Sequence, residues 1–163
     1  MLIGLIRHGI TDYNEHGRLQ GWLDIPLNDK GRQQALLIAN KLSGERRWSL
    51  IISSDLLRAI QTAKIISDIN DIPMISSDAI RERTFGIYEG QKINDCRNMN
   101  KDYIEKKGCF EKRVIDFVSE TISSQQNKNV IIVSHQGVLK VISNYLGNKI
   151  YAFTHTELYT YSV

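Results

Sequence analysis

The chain alternates between short unbroken apolar runs and longer stretches in which apolar residues recur every three or four positions. Leu2 to Ile6 is the first run, and it stops at Arg7-His8-Gly9. Such a run is the pattern of a strand buried on both faces, and the polar residues and glycine after it predict a loop. Ser49 to Ser53, around Leu50-Ile51-Ile52, and Asn129 to Ser134, around Val130-Ile131-Ile132-Val133, repeat the pattern. Helical spacing follows each: Leu56, Ala59, Ile60, Ala63 and Ile66 after the second run, Leu139, Ile142 and Leu146 after the third. Ala35, Ile38, Ala39 and Leu42 predict a helix ending at Gly44, and Val114, Phe117, Val118 and Ile122 predict another. Ile72 to Ser76 reads as one more strand. The 154–163 segment, rich in β-branched and aromatic residues, reads as a closing edge strand that contains His155. The polar, weakly periodic stretch from Lys92 to Gly108 is helix-compatible and is expected on the surface beside the site.

Strands alternating with helices define an α/β protein: a single three-layer α/β/α domain over residues 1–163, with a central, mostly parallel sheet. With 163 residues, 42% hydrophobic and 24% charged, the chain can bury about two-thirds of the surface its unfolded form exposes. The net charge of +3 favours an anionic ligand slightly, but no arginine stripe alternates with aromatics, so nucleic acid is not an expected partner. Lys106 and Lys107, with Lys101 and Arg97 nearby, are interrupted by Asp102 and Glu105 and read as a solvated helical face. Cys96 and Cys109 form no paired or metal-binding spacing and are expected as reduced thiols. The apolar stretch Met1 to Ile6 is too short for a signal segment or a bilayer span, which points to a cytoplasmic protein without a membrane partner.

Open α/β sheets bind ligands beyond the carboxyl ends of their strands. Arg7 and His8 end the first strand, Arg58 falls in the first helical turn after the second, and His135 follows the third. Those cationic or potentially cationic groups on one sheet edge suit a phosphate. Hydrolysis of a phosphate monoester needs stabilisation of the equatorial oxygens, an in-line nucleophile and a proton for the departing oxygen. His8 can attack through one ring nitrogen if the other donates to a fixed acceptor, such as a backbone carbonyl in the tight Arg-His-Gly loop. Arg7 and Arg58 would clamp the phosphoryl oxygens, a protonated His135 would add a donor, and the Asn14 amide can donate at the same loop. Glu82 is the candidate acid, with Asp78 and Glu89 as the carboxylates to test in its place.

Each residue taken singly has an ordinary alternative: a hydrogen-bonded loop histidine, a surface arginine, an exposed ion pair around Glu82. A two-histidine, one-carboxylate metal set of His8, His135 and Glu82 is the sharper rival. Arg7 and Arg58 would repel a divalent cation there and no metal-binding spacing is present, so no metal is expected. His16 and His155 receive no role.

Arg7-His8-Gly9-Ile10-Thr11-Asp12-Tyr13-Asn14 resembles the opening signature of the histidine phosphatase superfamily, also called the phosphoglycerate mutase-like family. Gln20-Gly21-Trp22-Leu23-Asp24-Ile25-Pro26-Leu27-Asn28 with Gly31 and Gln34-Ala35, Ser53 to Ala63 around Arg58, Arg81-Glu82 to Glu89-Gly90, and Val133-Ser134-His135-Gln136-Gly137-Val138 are similar to its later blocks, in order. The resemblance implies His8 as phosphorylated nucleophile, Arg7, Arg58 and His135 as phosphate pocket, and Glu82 as proton donor. Asn14, Gln20, Gly21 and Gln136 fall at positions that approach phosphate or substrate. No metal or organic cofactor is implied. Gln136 departs from a frequent glycine, which questions the room above the phosphate, and Lys140 departs from a frequent arginine.

The function implied is a phosphomonoester hydrolase working through a phosphohistidine on a small phosphorylated metabolite. The short span after Gly90 favours it over a phosphoglycerate mutase-type transferase, which would use Arg97, Lys101 and Lys106 for a second anion. Action on phosphoproteins and an idle phospho-ligand binding module are the remaining readings. A homodimer would pair through the edge of the last strand.

Overall fold

The structure, a computed structural model, describes residues 1–45 and 47–163. Five strands, β1 (Leu2–Arg7), β2 (Leu50–Ser54), β3 (Met74–Ser77), β4 (Val130–Ser134) and β5 (Leu158–Ser162), form one sheet in the order β3-β2-β4-β1-β5. All neighbours pair in parallel except β1 with β5, which is antiparallel and at the edge. Five α-helices, α1 (Asp12–Glu15), α2 (Asp29–Leu42), α3 (Leu57–Asn70), α4 (Lys107–Ser124) and α5 (Gln136–Tyr145), complete the layers among the described residues.

The alternation within each strand divides the core in two. Ile3, Leu5, Leu50, Ile52, Val130 and Ile132 pack under α4 and α5, against residues such as Val114, Val118, Leu139 and Ile142. Ile6, Ile51, Ile131 and Val133 point the other way, into Ile38, Leu42, Ala63 and Ile66 of α2 and α3. Unbroken apolar runs are needed because both faces are covered. Each such side chain contributes roughly 1.5–3 kcal/mol by leaving water.

Three expectations are corrected. The third strand is Met74–Ser77 rather than 72–76, because Pro73 follows directly on buried Ile72 and has no N–H for a ladder. The last strand starts at Leu158, so His155 precedes it in an irregular segment. The 92–108 stretch is not a helix: it holds two short 3₁₀ turns, Ile93–Asp95 and Lys101–Tyr103, before α4 begins at Lys107. Arg97, Lys101, Lys106 and Lys107 therefore share no helical face. Among the described residues no helix is long and apolar enough to cross a membrane.

The loop after β1 is pressed onto the first turn of α2. A Cβ on Gly9 would meet the Gly31 carbonyl at 2.5 Å, and one on Gly31 would overlap the carbonyl of Ile10. Ile10 N is held by Gln34 Oε1 at 3.0 Å and Gly9 N by Thr62 Oγ1 at 3.0 Å, so the loop has nowhere to retreat. Gly31→Ala is expected to lower stability by about 1–3 kcal/mol through overpacking and to reduce turnover as well. Urea midpoints and kcat measured side by side check this, and a variant matching wild type in both would show the contact to be soft.

Candidate active site

The β1–β4 register sets Arg7 opposite Ser134, so His8 and His135 leave adjacent strand ends together. His8 N donates to Ser134 O at 3.0 Å, and the two ring centroids are 5.1 Å apart. His8 Nδ1 lies 2.7 Å from Gly9 O. A carbonyl only accepts, so Nδ1 carries the proton and Nε2 keeps its lone pair. His135 Nε2 is 2.9 Å from Ser54 Oγ, while its Nδ1 is buried without a protein partner.

Arg58, the second residue of α3, is 1% exposed. Its Nη1 and Nη2 donate to Leu23 O and Gly21 O, both at 2.8 Å, and its Nε has no partner. Arg7 donates from Nη1 to Phe153 O at 3.1 Å and also leaves Nε unpaired. Three buried N–H or ring nitrogen positions thus remain unsatisfied around one spot, an arrangement that phosphoryl oxygens would complete.

Glu82 approaches from the far wall. Its Oε2 accepts from Gly137 N and its Oε1 from Arg83 N, both at 2.9 Å, which places the carboxylate at the N-terminus of α5. Its peptide is steadied by Trp22 Nε1, which donates to Glu82 O at 2.7 Å. Arg81, bidentate to Asp55, stands 4.9 Å over the Trp22 ring. Glu89 is engaged elsewhere through one carboxylate oxygen, Oε1, which accepts from Trp22 N, Phe85 N and Thr84 Oγ1.

Asn14 caps α1 with Thr11, using Oδ1 toward Thr11 N at 3.1 Å, which leaves its Nδ2 donor on a residue lining the cleft. Gln20 joins the same group, 2.9 Å from Thr11 Oγ1. Gln136 also lines the cleft, but its amide is spent on the 151–153 backbone: Oε1 accepts from Phe153 N at 3.0 Å and Nε2 faces Tyr151 O at 3.4 Å. Its backbone is ordinary helix, so no glycine is required there. The cleft, about 580 Å³, brings together every sequence-predicted site residue, and Phe85, Ile93, Phe110, Val141, Arg18, Arg83, Lys107 and Lys140 also line it. Arg97, Lys101 and Lys106 do not line it. Among the described residues no three His, Cys, Asp or Glu side chains converge to hold a metal ion.

Burial, and after it the Arg58 guanidinium, holds His8 and His135 well below the ordinary imidazole value. Burial and Arg7 bring His155 to about 4. These shifts hold all three rings toward the neutral form at pH 7 while no anion lies beside them, and in that state His135 is a single donor. It offers one N–H, placed on Nδ1 when Ser54 donates to Nε2. Burial lowers Arg58 to about 10 against the opposing pull of Glu82, Asp24 and Glu89, and it stays a cation at pH 7.

Sequence reasoning missed Ser54, Thr62, Gln34 and His155, all of which hold the two histidines or their loop. Ser54, Thr62 and Gln34 stood inside the quoted blocks, so their position was a signal. His155 carried none.

An α/β sheet with a neutral histidine nucleophile candidate beside one buried and one partly buried arginine is the class of a phosphoryl-transfer enzyme. Residues 3–163 match the histidine phosphatase superfamily (branch 1). The chain is 32% identical over 157 residues to a metal-independent phosphoserine phosphatase of Arabidopsis thaliana, covering 86% of this chain and 66% of that one. Its fold is similar to a mycobacterial glucosyl-3-phosphoglycerate phosphatase in complex with VO3, with a TM-score of 0.87 and 25% identity over 99% of this chain and 90% of the other. The α-ribazole phosphatase of Shigella flexneri gives a TM-score of 0.86 and 25% identity, covering 100% and 91%. The chain belongs to the histidine phosphatase superfamily, and it is an enzyme of the phosphatase kind.

The buried histidines make stability depend on pH. The unfolded chain protonates His8, His135 and His155 near pH 6.5, the folded one only at lower pH. Between those values the unfolded state binds more protons, so stability present above about pH 6.5 is lost as pH falls toward the folded pKa values. Each of His8, His135 and His155 contributes up to about 1.4 kcal/mol per pH unit in that window. Urea unfolding at pH 7.5 and at pH 5.5 should show a clear drop, and an unchanged midpoint would contradict the neutral state of these rings.

Proposed function

We propose that the enzyme hydrolyses small phosphomonoesters by way of phosphorylated His8. The observation that carries this reading is the His8 ring itself, its Nδ1 proton fixed on Gly9 O and its Nε2 free in a cleft that also holds the buried Arg58 and the partly buried Arg7. Nε2 attacks phosphorus, the P–O bond to the alcohol breaks, and Glu82 gives its proton to the departing oxygen. Arg7, Arg58 and His135 Nδ1 hold the three equatorial oxygens, with Asn14 and Gln20 beside them. Glu82, now a carboxylate, takes a proton from water as it attacks the phosphohistidine, and phosphate leaves. Gln136 serves the site by shaping its wall.

The leaving group is an alcohol of a small metabolite. Relatives act on phosphoserine, on glucosyl-3-phosphoglycerate and on α-ribazole phosphate by their names, so phosphate rather than the alcohol is the shared feature. The mouth supports the same reading, with apolar Phe85, Ile93 and Phe110 beside basic Lys107 and Lys140. A cytoplasmic location is supported by the unpaired Cys96 and Cys109. The outer edge of β5 supports a homodimer by strand pairing.

His8→Ala is expected to abolish turnover while the fold persists. Wild-type protein quenched during turnover should carry phosphate that is labile to acid and stable to base. Label on an acyl phosphate or a serine would rule the mechanism out.

Glu82→Gln keeps size and most hydrogen bonding but has no proton to give. Phosphorylation of His8 by an alkyl phosphate, read as kcat/KM, should slow by about 10²–10⁴-fold, and by much less with nitrophenyl phosphate, whose leaving group needs no acid. Equal losses for both esters would remove Glu82 from the role of donor.

A further inference from the structure

Behind His8 the chain from Tyr151 to Thr156 crosses the end of β1 as a strap. Thr156 N donates to Arg7 O at 2.9 Å, and Arg7 Nη1 reaches back to Phe153 O at 3.1 Å. The far end of the strap is fixed on α5, where Gln136 Oε1 accepts from Phe153 N. His155 turns inward from this strap. Its Nδ1 lies 2.5 Å from His8 O and, facing a carbonyl, is the protonated nitrogen that donates. Its ring meets the His8 ring edge to face, 5.4 Å between centroids and tilted by 66°.

His155 does not line the catalytic cleft. It lines a second cleft of about 530 Å³ between α2 and the strap, with Gln34, Leu37 and Lys41. It therefore stands on the side of His8 away from substrate. Taking His8 as the nucleophile, as above, we infer that His155 is a positioning residue: it holds the His8 carbonyl and backs the imidazole so that Nε2 stays aimed into the cleft.

The physical case rests on how few ways His8 is left to move. Its N–H is fixed on Ser134 O, its carbonyl on His155 Nδ1, and its ring on Gly9 O, while Gly9 N is fixed on Thr62 Oγ1. Without the carbonyl anchor, rotation about the bond between Cα and the carbonyl carbon of His8 shifts the Gly9 peptide, and with it the acceptor that orients the ring. A neutral donor is required at this place. Burial and Arg7 keep His155 uncharged at pH 7, whereas a lysine would add a further cation to the cluster.

The test compares His155→Ala, His155→Asn, His155→Leu and His8→Ala in kcat, KM and inhibition by vanadate and by inorganic phosphate. Small errors of nucleophile placement cost up to about 100-fold, so His155→Ala should lose about 10–100-fold in kcat with KM unchanged. Vanadate needs His8 in line to mimic the transition state and should weaken by a similar factor, while inorganic phosphate, held by the arginines, should inhibit as before. His155→Asn, which keeps an N–H for the carbonyl, should recover most of the rate, and His155→Leu, which only fills space, should not. The Asn and Leu pair carries the comparison if the Ala variant folds poorly. Wild-type kcat in His155→Ala, parallel loss of phosphate and vanadate binding, or equal activity of the Asn and Leu variants would each overturn the inference. An active His8→Ala would instead overturn the nucleophile reading on which it rests.

Discussion

The parallel ladder between β1 and β4 is the contact on which the site depends. It sets Arg7 opposite Ser134 and makes His8 and His135 neighbours without any direct bond between them. A slip of one residue would turn the following side chains to opposite faces of the sheet. Both faces are apolar, so alternation alone does not select the register. Gly4 helps to select it: a Cβ there would meet the Trp48 ring at 2.8 Å, so this position and no bulkier neighbour must lie under that ring. A packing constraint far from the cleft thus contributes to which two residues share its floor.

With the histidines placed, electrostatics sets their state. Two guanidinium groups and two imidazoles crowd one desolvated volume, and the imidazoles answer by giving up their protons. A neutral imidazole is the form able to attack phosphorus, so the same desolvation that makes the cluster costly also suits His8 to the role proposed for it. The arginines remain charged because their ordinary value lies far above 7 and Glu82 opposes the desolvation of both, while carbonyls of Gly21, Leu23 and Phe153 take up part of their hydrogen-bonding capacity. Their unpaired Nε groups and His135 Nδ1 are oriented before any phosphate arrives, so little reorganisation remains to be done at the moment of reaction.

Sequence pattern and structure agree where the physics is periodic or local. The buried strands were legible because a sheet covered on both faces demands unbroken apolar runs, and Arg7, His8, Arg58 and His135 were legible because they sit where strands end. Glu82 was legible through its block, but not its anchoring by Gly137 N, which is a contact across 55 positions of chain. The 92–108 stretch was misread as helix-compatible because its fold comes from tertiary ties, such as Asn100 N to the Tyr88 hydroxyl, that leave no period. His155 was invisible for a related reason. A histidine in a β-rich tail looks like any surface ring, and only the strap, pinned by Gln136 and Arg7, carries it behind His8.

The same misread stretch bears on what receives the phosphoryl group. Transfer to a second hydroxyl of the substrate needs a wall that holds the dephosphorylated molecule while excluding water. Here the span from Gln91 to Lys106 is short turns, and its basic residues Arg97, Lys101 and Lys106 lie away from the cleft lining. The cations that line the cleft outside the phosphate pocket are Lys107 and Lys140, from α4 and α5, together with Arg18 and Arg83, each of which already gives an N–H to a backbone carbonyl, Gly90 O and Glu105 O. Lys107 is itself within 3.6 Å of Glu111. A phosphohistidine on His8 would then face cations of which three are already engaged by Gly90 O, Glu105 O and Glu111, leaving less to hold the departing alcohol against replacement by water. In this geometry the rim, more than the five residues on the floor, turns a phosphoryl-transfer site toward hydrolysis.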